Sequence, residues 1–200
     1  MKHHKIVPLL ALLLATVSWA GAAVAQDAHA TAVRPLQLSA FAAATGNFTG
    51  LAGGKNFSIT AGGDLGLPPW HGVRPTIEIR GTYPLDHGLV DSQKSVLGGL
   101  RVDFLLNHRL RPYADYLYGR GQINYGLGYI YNGYVYALTT TYVNSPGIGF
   151  NYILSDHLEF KLDAQAQRWA STPTSAGVIY SSLGSAGLVY NFNFEPRHRR

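Results

Sequence analysis

From residue 35 to residue 194 the sequence is organised by a period of two, apolar and polar residues taking turns along one short run after another. Successive side chains of a strand point to opposite faces, so strict alternation marks a strand whose two faces meet different surroundings. Leu158, Phe160, Leu162, Ala164 and Ala166 share one face, against Glu159, Lys161, Asp163, Gln165 and Gln167 on the other. Ile77, Ile79, Gly81 and Tyr83 oppose Glu78, Arg80 and Thr82. Val96, Gly98, Leu100, Val102, Phe104 and Leu106 oppose Leu97, Gly99, Arg101, Asp103 and Leu105, and Phe57, Ile59, Ala61, Gly63 and Leu65 oppose Ser58, Thr60, Gly62 and Asp64.

Eight such runs are found, at 35–45, 56–66, 75–83, 94–106, 111–119, 145–154, 158–168 and 178–194. An even number returns the chain to the side from which it started, as a closed up-and-down barrel requires. The connections divide by parity as well. The second, fourth and sixth gaps include the tight turns Asn107-His108-Arg109-Leu110 and Ser155-Asp156-His157, while the fifth gap, 120–144, is long. Short turns on one side and long loops on the other are the known asymmetry of bacterial barrels. The second gap, Leu67 to Arg74 with Pro68-Pro69, is long for its side. The expected fold class is all-β, an eight-stranded antiparallel up-and-down barrel.

Soluble sandwiches and lipocalin-like barrels alternate too, so the surroundings of the two faces must be read from composition. Charged residues are 14% of the chain, whereas a soluble domain carries about a quarter. The polar face is mostly Gly, Ser, Thr, Asn and Gln, which suits a narrow interior in which side chains satisfy one another. Tyr and Phe crowd the apolar face and the strand ends, the place of interfacial aromatic girdles. The pattern therefore favours a transmembrane barrel in contact with lipid.

The start of the chain fits export. Met1-Lys2-His3-His4-Lys5, an apolar run from Ile6 to Ala15 and the triplet Ala23-Val24-Ala25 make a charged region, an apolar region and an A-x-A cleavage site. The expected organisation is a signal peptide at 1–25, a short segment at 26–34, the barrel at 35–194 and a basic tail at 195–200. The formal charge of +5 owes two lysines to the leader and three arginines to the tail, so it gives no reason to expect nucleic acid as a partner. The chain has no cysteine, which excludes a disulfide-held secreted scaffold.

Reading back from Phe194, alternate positions are Phe192, Tyr190, Leu188 and Ala186. This closing strand resembles the C-terminal assembly signal of outer-membrane proteins, except that six residues follow Phe194. Leader, eight alternating runs and aromatic closing strand together resemble the OmpA/OmpX-like outer-membrane β-barrel superfamily. Arg111-Pro112-Tyr113-Ala114-Asp115 and the stretch from Gly147 through Leu158 are similar to its strand-turn-strand phrases. The resemblance implies the bacterial outer membrane, with its lipid and the barrel assembly machinery as partners. It also implies that Phe194, with Phe192, Tyr190 and Leu188, governs assembly. Architecture is shared in this superfamily more widely than activity.

Candidate chemistry is sparse. The histidines at 29, 71, 87, 108, 157 and 198 lack the paired spacings of a metal site. Ser155-Asp156-His157 holds the residue types of a hydrolase triad, but neighbours in a tight turn cannot converge on one carbonyl. Gly126-Leu127-Gly128 lacks the strand and helix of a nucleotide loop and fits a mobile loop. No catalytic, cofactor or metal residue is expected. The segment 120–144 carries Tyr125, Tyr129, Tyr131, Tyr134, Tyr136 and Tyr142, either as a loop able to hold a surface ligand or as extensions of the fifth and sixth strands. The expectation is a non-enzymatic barrel with a structural or surface-interaction role. A narrow channel and a lipid A-modifying enzyme are the alternatives.

The interior is expected to hold a charge network. Alternation points Arg101 and Asp103 inward, with Glu78 and Arg80 on the preceding strand, Asp115 on the following one and Glu159, Lys161 and Asp163 across the barrel. One register sets Glu78 and Asp115 directly opposite Arg101; a register slipped by two sets Arg80 against it. Opposite charges gain where like charges lose, so the paired register is expected. Arg74, placed in a turn, is the expected insensitive comparison.

Overall fold

A computed structural model describes residues 36–86, 91–105, 109–170 and 172–192. The leader, the segment 26–34, the Asn107-His108 pair, Phe194 and the tail lie outside them. The elements are β1 (Gln37–Phe48), β2 (Lys55–Gly66), β3 (Val73–Pro84), β4 (Ser92–Phe104), β5 (Leu110–Tyr131), β6 (Tyr134–Ile153), β7 (Leu158–Ala170) and β8 (Val178–Phe192). Each pairs antiparallel with its chain neighbours, and β1 pairs with β8, from Leu38 against Phe192 to Phe48 against Ser182. Closure leaves the barrel without a sheet edge over this span.

Burial follows the alternation residue by residue. In β7, Glu159, Lys161, Asp163, Gln165, Gln167 and Trp169 are buried, and the residues between them are not. Leucines, isoleucines, valines and tyrosines such as Ile79, Val96, Leu100, Tyr116, Ile148 and Leu188 stay exposed on the outside. This inverts a soluble protein, with polar groups packed inside a narrow barrel and an apolar belt outside. Such a surface is stable when its solvent is lipid, where every strand's backbone groups are already paired by closure.

Two regions depart from the expected boundaries. The segment 120–144 takes the second of its two expected forms, an extension of the fifth and sixth strands. Strands β5 and β6 run on through it and meet at a two-residue turn, Tyr131 against Tyr134, with Asn132 and Gly133 at φ 50° and 80°. Positive φ at both central positions is the hairpin turn that Asn-Gly favours. Gly126-Leu127-Gly128 interrupts this ladder as an irregularity between Asn124 and Tyr129. Both glycines have positive φ, so the motif is a bulge in β5. In the second gap, Trp70 and Val73 exchange two backbone hydrogen bonds, of 2.8 and 3.0 Å, around His71-Gly72. The connection is thus a tight turn placed after Pro68-Pro69, and Arg74 lies in β3, half-buried and donating to Gln37, where a free turn position was expected.

The turns between β2 and β3, β4 and β5, and β6 and β7 lie at one end of the barrel and the long β5–β6 ribbon stands at the other; by the convention of bacterial barrels these are named the periplasmic and the extracellular end. β4 pairs with β5 up to Asn124, and β6 pairs with β7 from Val143. Residues 125–137 therefore project past the barrel wall as a two-stranded ribbon, while 138–142 still pair with wall residues of β5.

Candidate functional site

The lumen is filled in two layers. At the extracellular end Leu51, Leu97, Leu117, Ile123, Tyr125, Val143, Trp169 and Ile179 form the apolar cluster, with Tyr129 and Tyr136 of the ribbon packed on it. Trp169 is anchored by its indole N–H, which donates to Ser181 Oγ at 2.8 Å. Its ring lies so close over β5 that a Cβ on Gly121 would collide with it. Beside this layer, Asp91 accepts from Thr49 Oγ1 at 2.6 Å and from Gln93 Nε2 at 3.2 Å, tying the β1–β2 turn to the start of β4. Burial pushes the Asp91 carboxyl up, and the two hydrogen bonds oppose that only in part.

Below it lies a charge cluster in which three cations, Arg80, Arg101 and Lys161, sit among Asp64, Glu78, Asp103, Asp115 and Asp163. Glu78 is the shared acceptor. It takes Arg80 Nε at 2.6 Å on one oxygen, and Arg101 Nη1 at 2.9 Å with Lys161 Nζ at 3.4 Å on the other. Arg101 also reaches Asp64 at 2.8 Å and Asp103 at 3.0 Å. Arg80 crosses the lumen to Asp163 at 2.8 Å, and Tyr113 donates to the same carboxylate at 2.8 Å. Lys161 stands 3.9 Å from the Phe41 ring centroid and Arg101 stands 5.0 Å from that of Tyr113, which offsets part of the cost of removing cations from water. Buried charges persist only when paired and hydrogen-bonded in this way.

The geometry corrects the expected register. Arg101 is opposed by Thr76 on β3 and by Asp115 on β5, while Glu78 is opposed by Asp64 and by Gly99. Glu78 therefore meets Arg101 diagonally. Diagonal neighbours lie within reach of a long side chain, and Gly99 places no side chain in the way. Asp115 is opposite Arg101 along the backbone, but its carboxylate turns to Arg80 at 3.4 Å and accepts twice from Gln165 Nε2 at 3.0 Å. Glu159 stands apart near the periplasmic end, with Arg111 at 2.8 Å and Asn191 at 2.9 Å. The cluster thus has two guanidinium centres, Arg80 and Arg101, joined through Glu78, where one hub was expected. Asp64, Tyr113 and Gln165 also belong to it. Alternation had already put Asp64 and Gln165 on the polar face; only the cross-barrel packing joins them to the arginines.

Remaining space is small. Between Arg74, Arg101, Asp103, Arg111 and Glu159 lies a cavity of about 20 Å³, room for roughly one water molecule. Among the described residues no group of three or more His, Cys, Asp or Glu is placed to hold a metal ion. Ser155-Asp156-His157 does turn work, since Ser155 Oγ accepts from the Leu158 amide at 3.2 Å and His157 stacks on Tyr190 with centroids 5.9 Å apart. On the closing strand, Leu188, Tyr190 and Phe192 all face outward.

No family model and no curated protein matches the sequence. Solved structures do. The neisserial surface protein A is similar at 15% identity over 78% of this chain and 97% of its own, with a TM-score of 0.56. Ail, the attachment invasion locus protein of Yersinia pestis, is 11% identical over 78% of this chain and 97% of its own, at a TM-score of 0.42. The outer membrane enzyme PagL is 14% identical over 79% and 99%, at 0.41. Strand count and closure make this the fold of an eight-stranded up-and-down β-barrel, and that fold is what the chain shares with the neisserial surface protein A.

Proposed function

We propose that this protein is a non-enzymatic outer-membrane barrel with a closed, self-supporting lumen, and that its β5–β6 ribbon carries its contacts at the cell surface. The observation that carries this reading is the ribbon itself. Leu127, Ile130, Tyr134 and Val135 are exposed on it beyond the last pairing with neighbouring strands, while Tyr125, Tyr129 and Tyr136 hold its base on the apolar layer. A ribbon stiffened by a two-residue turn and anchored by tyrosines presents apolar side chains at little conformational cost. Water-filled conduction is opposed by the apolar layer and by the charge cluster beneath it.

The chain has no native cysteine, so Leu127→Cys can be labelled cleanly. An impermeant maleimide should label it on intact cells, and purified protein should stay silent in planar bilayers. Replacing Leu127, Ile130 and Val135 together by serine should preserve the heat-modifiable barrel but lower adherence of expressing cells to octyl-coated beads. Labelling only after permeabilisation would remove the surface role, and steady conductance steps would favour a channel.

A further inference from the structure

Charge is segregated across the barrel wall. All six carboxylates of the strands, Asp64, Glu78, Asp103, Asp115, Glu159 and Asp163, face the lumen. The charged strand residues that face outward are all cations, namely Lys55, Lys94, Arg120 and Arg168. All four lie toward the extracellular end. Lys55 opens β2, Lys94 is the third residue of β4, Arg168 is two residues from the end of β7, and Arg120 is paired with Val96 in the upper half of β4. No carboxylate comes within ion-pair distance of any of them among the described residues. Unpaired cations on a lipid-facing surface are costly unless an anion meets them there.

Two of them stand over a groove. Its volume is about 490 Å³, and it is lined by Ile59, Ala61, Tyr83 and Val96, with Lys94 and Arg120 as its charged groups. Gly81 makes the depression, for a Cβ there would meet nothing closer than 3.9 Å. Arg120 is held in place by Tyr142, whose hydroxyl accepts from Nη2 at 3.2 Å and whose ring centroid lies 5.0 Å from the guanidinium carbon. Tyr142 in turn stacks on Tyr118. The guanidinium is thus preorganised, with donors left over. A second outer groove, of about 640 Å³, lies among Ala44, Ile148, Leu162, Ala164 and Ala186, with no outward cation. Acyl chains alone would have no reason to prefer the first groove.

We propose that the groove between β2 and β5 is a binding site for a phosphate-bearing acyl lipid of the outer leaflet, of the lipid A class. Its phosphate sits between Lys94 and Arg120, and an acyl chain lies over Ala61 and Gly81. The occupant follows from complementarity, since two adjacent cations without a carboxylate select an anionic head and the apolar floor selects a chain. Their height on the barrel puts the head at the extracellular interface, where basic groups meet lipid phosphates.

The test uses the folded full-length barrel in neutral detergent, titrated with bisphosphorylated lipid A and with the same lipid after enzymatic dephosphorylation. Bound lipid is counted by native mass spectrometry. The bisphosphorylated form should bind wild type about ten- to thirtyfold more tightly than it binds the Lys94→Gln/Arg120→Gln double variant. The dephosphorylated form should not distinguish the two proteins. Lys94→Arg/Arg120→Lys should retain binding, and Arg109→Gln, which removes a cation at the periplasmic turn, should change nothing. Heat-modifiability verifies that every variant is folded. Equal binding of both lipids to wild type, or undiminished binding to the double glutamine variant, would mean that the groove takes only unselected boundary lipid and would overturn the proposal.

Discussion

The two layers of the lumen hold the same barrel together by opposite means. The extracellular layer is apolar and centres on Trp169, Leu117, Ile123 and Val143, each almost wholly buried. The middle layer is ionic and centres on Glu78 between Arg80, Arg101 and Lys161. An apolar layer tolerates shape changes in proportion to the volume lost. An ionic one does not, because removing one partner leaves a charge buried without compensation. The layers are also coupled, since the apolar cap keeps water from the charges and a low dielectric makes each pairing stronger and each vacancy more costly. The ionic layer should therefore respond all-or-none where the apolar layer responds by degrees.

The sharpest way to break this contrast is Glu78→Ala, which removes the acceptor that three cations share and leaves Lys161 without a carboxylate partner among the described residues. A loss of about 3–5 kcal/mol is expected in urea unfolding of the vesicle-embedded barrel, and restoring one charge balance with Glu78→Ala/Lys161→Met should recover part of it. No recovery in the double variant would mean that the charges are solvated one by one. Trp169→Ala comes next, at about 3 kcal/mol. It should also admit brief conductance events, because it opens the apolar cap; a stable but still silent variant would place the seal lower, at the ionic layer.

Gly121→Ala sharpens the apolar side further. The new methyl meets the Trp169 ring, and overpacking of that kind costs about 1–3 kcal/mol. Combining it with Trp169→Phe should relieve part of the loss, which a cycle of single and double variants measures. Arg109→Met, at an exposed periplasmic turn, should move the midpoint by less than about 0.5 kcal/mol and replaces Arg74 as the insensitive comparison.

The smallest effect belongs to Asp91, at the junction of the apolar layer with the loops. Its folded carboxyl titrates above the ordinary range, so the folded state binds its proton more readily than the unfolded chain does. The stability this confers is complete below the unfolded carboxylate range and is lost as pH rises through the raised value. Wild type should thus gain stability relative to Asp91→Asn as pH falls from neutral into the acid range. A constant difference between the two proteins across that range would show that the site is wet.

Much of this was legible in the residues, for a local reason. Closure by eight strands, the inward set Glu78, Arg101, Asp103, Lys161 and Asp163, and the outward set Leu188, Tyr190 and Phe192 all follow from a period of two, which needs no knowledge of neighbours. Asn132-Gly133 was legible too, as a hairpin signal flanked by alternating tyrosines. The alternation from Tyr134 to Tyr142 pointed the same way, to extension of the fifth and sixth strands, while the glycines that suggested a loop make only one bulge in the fold.

Parity says which face a side chain takes but is blind to shifts of two residues, since every even shift preserves it. The sequence by itself therefore determined the barrel, its inverted faces and the charges inside it. Tertiary structure alone decided that Glu78 stands opposite Gly99, that Asp115 belongs to Arg80 and Gln165, and that Asp64 completes the Arg101 centre. It also decided that Lys94 and Arg120 meet over one groove. Those outcomes depend on strand stagger around a closed sheet and on how far long side chains reach across it. Both are properties of the assembled barrel that no single strand contains.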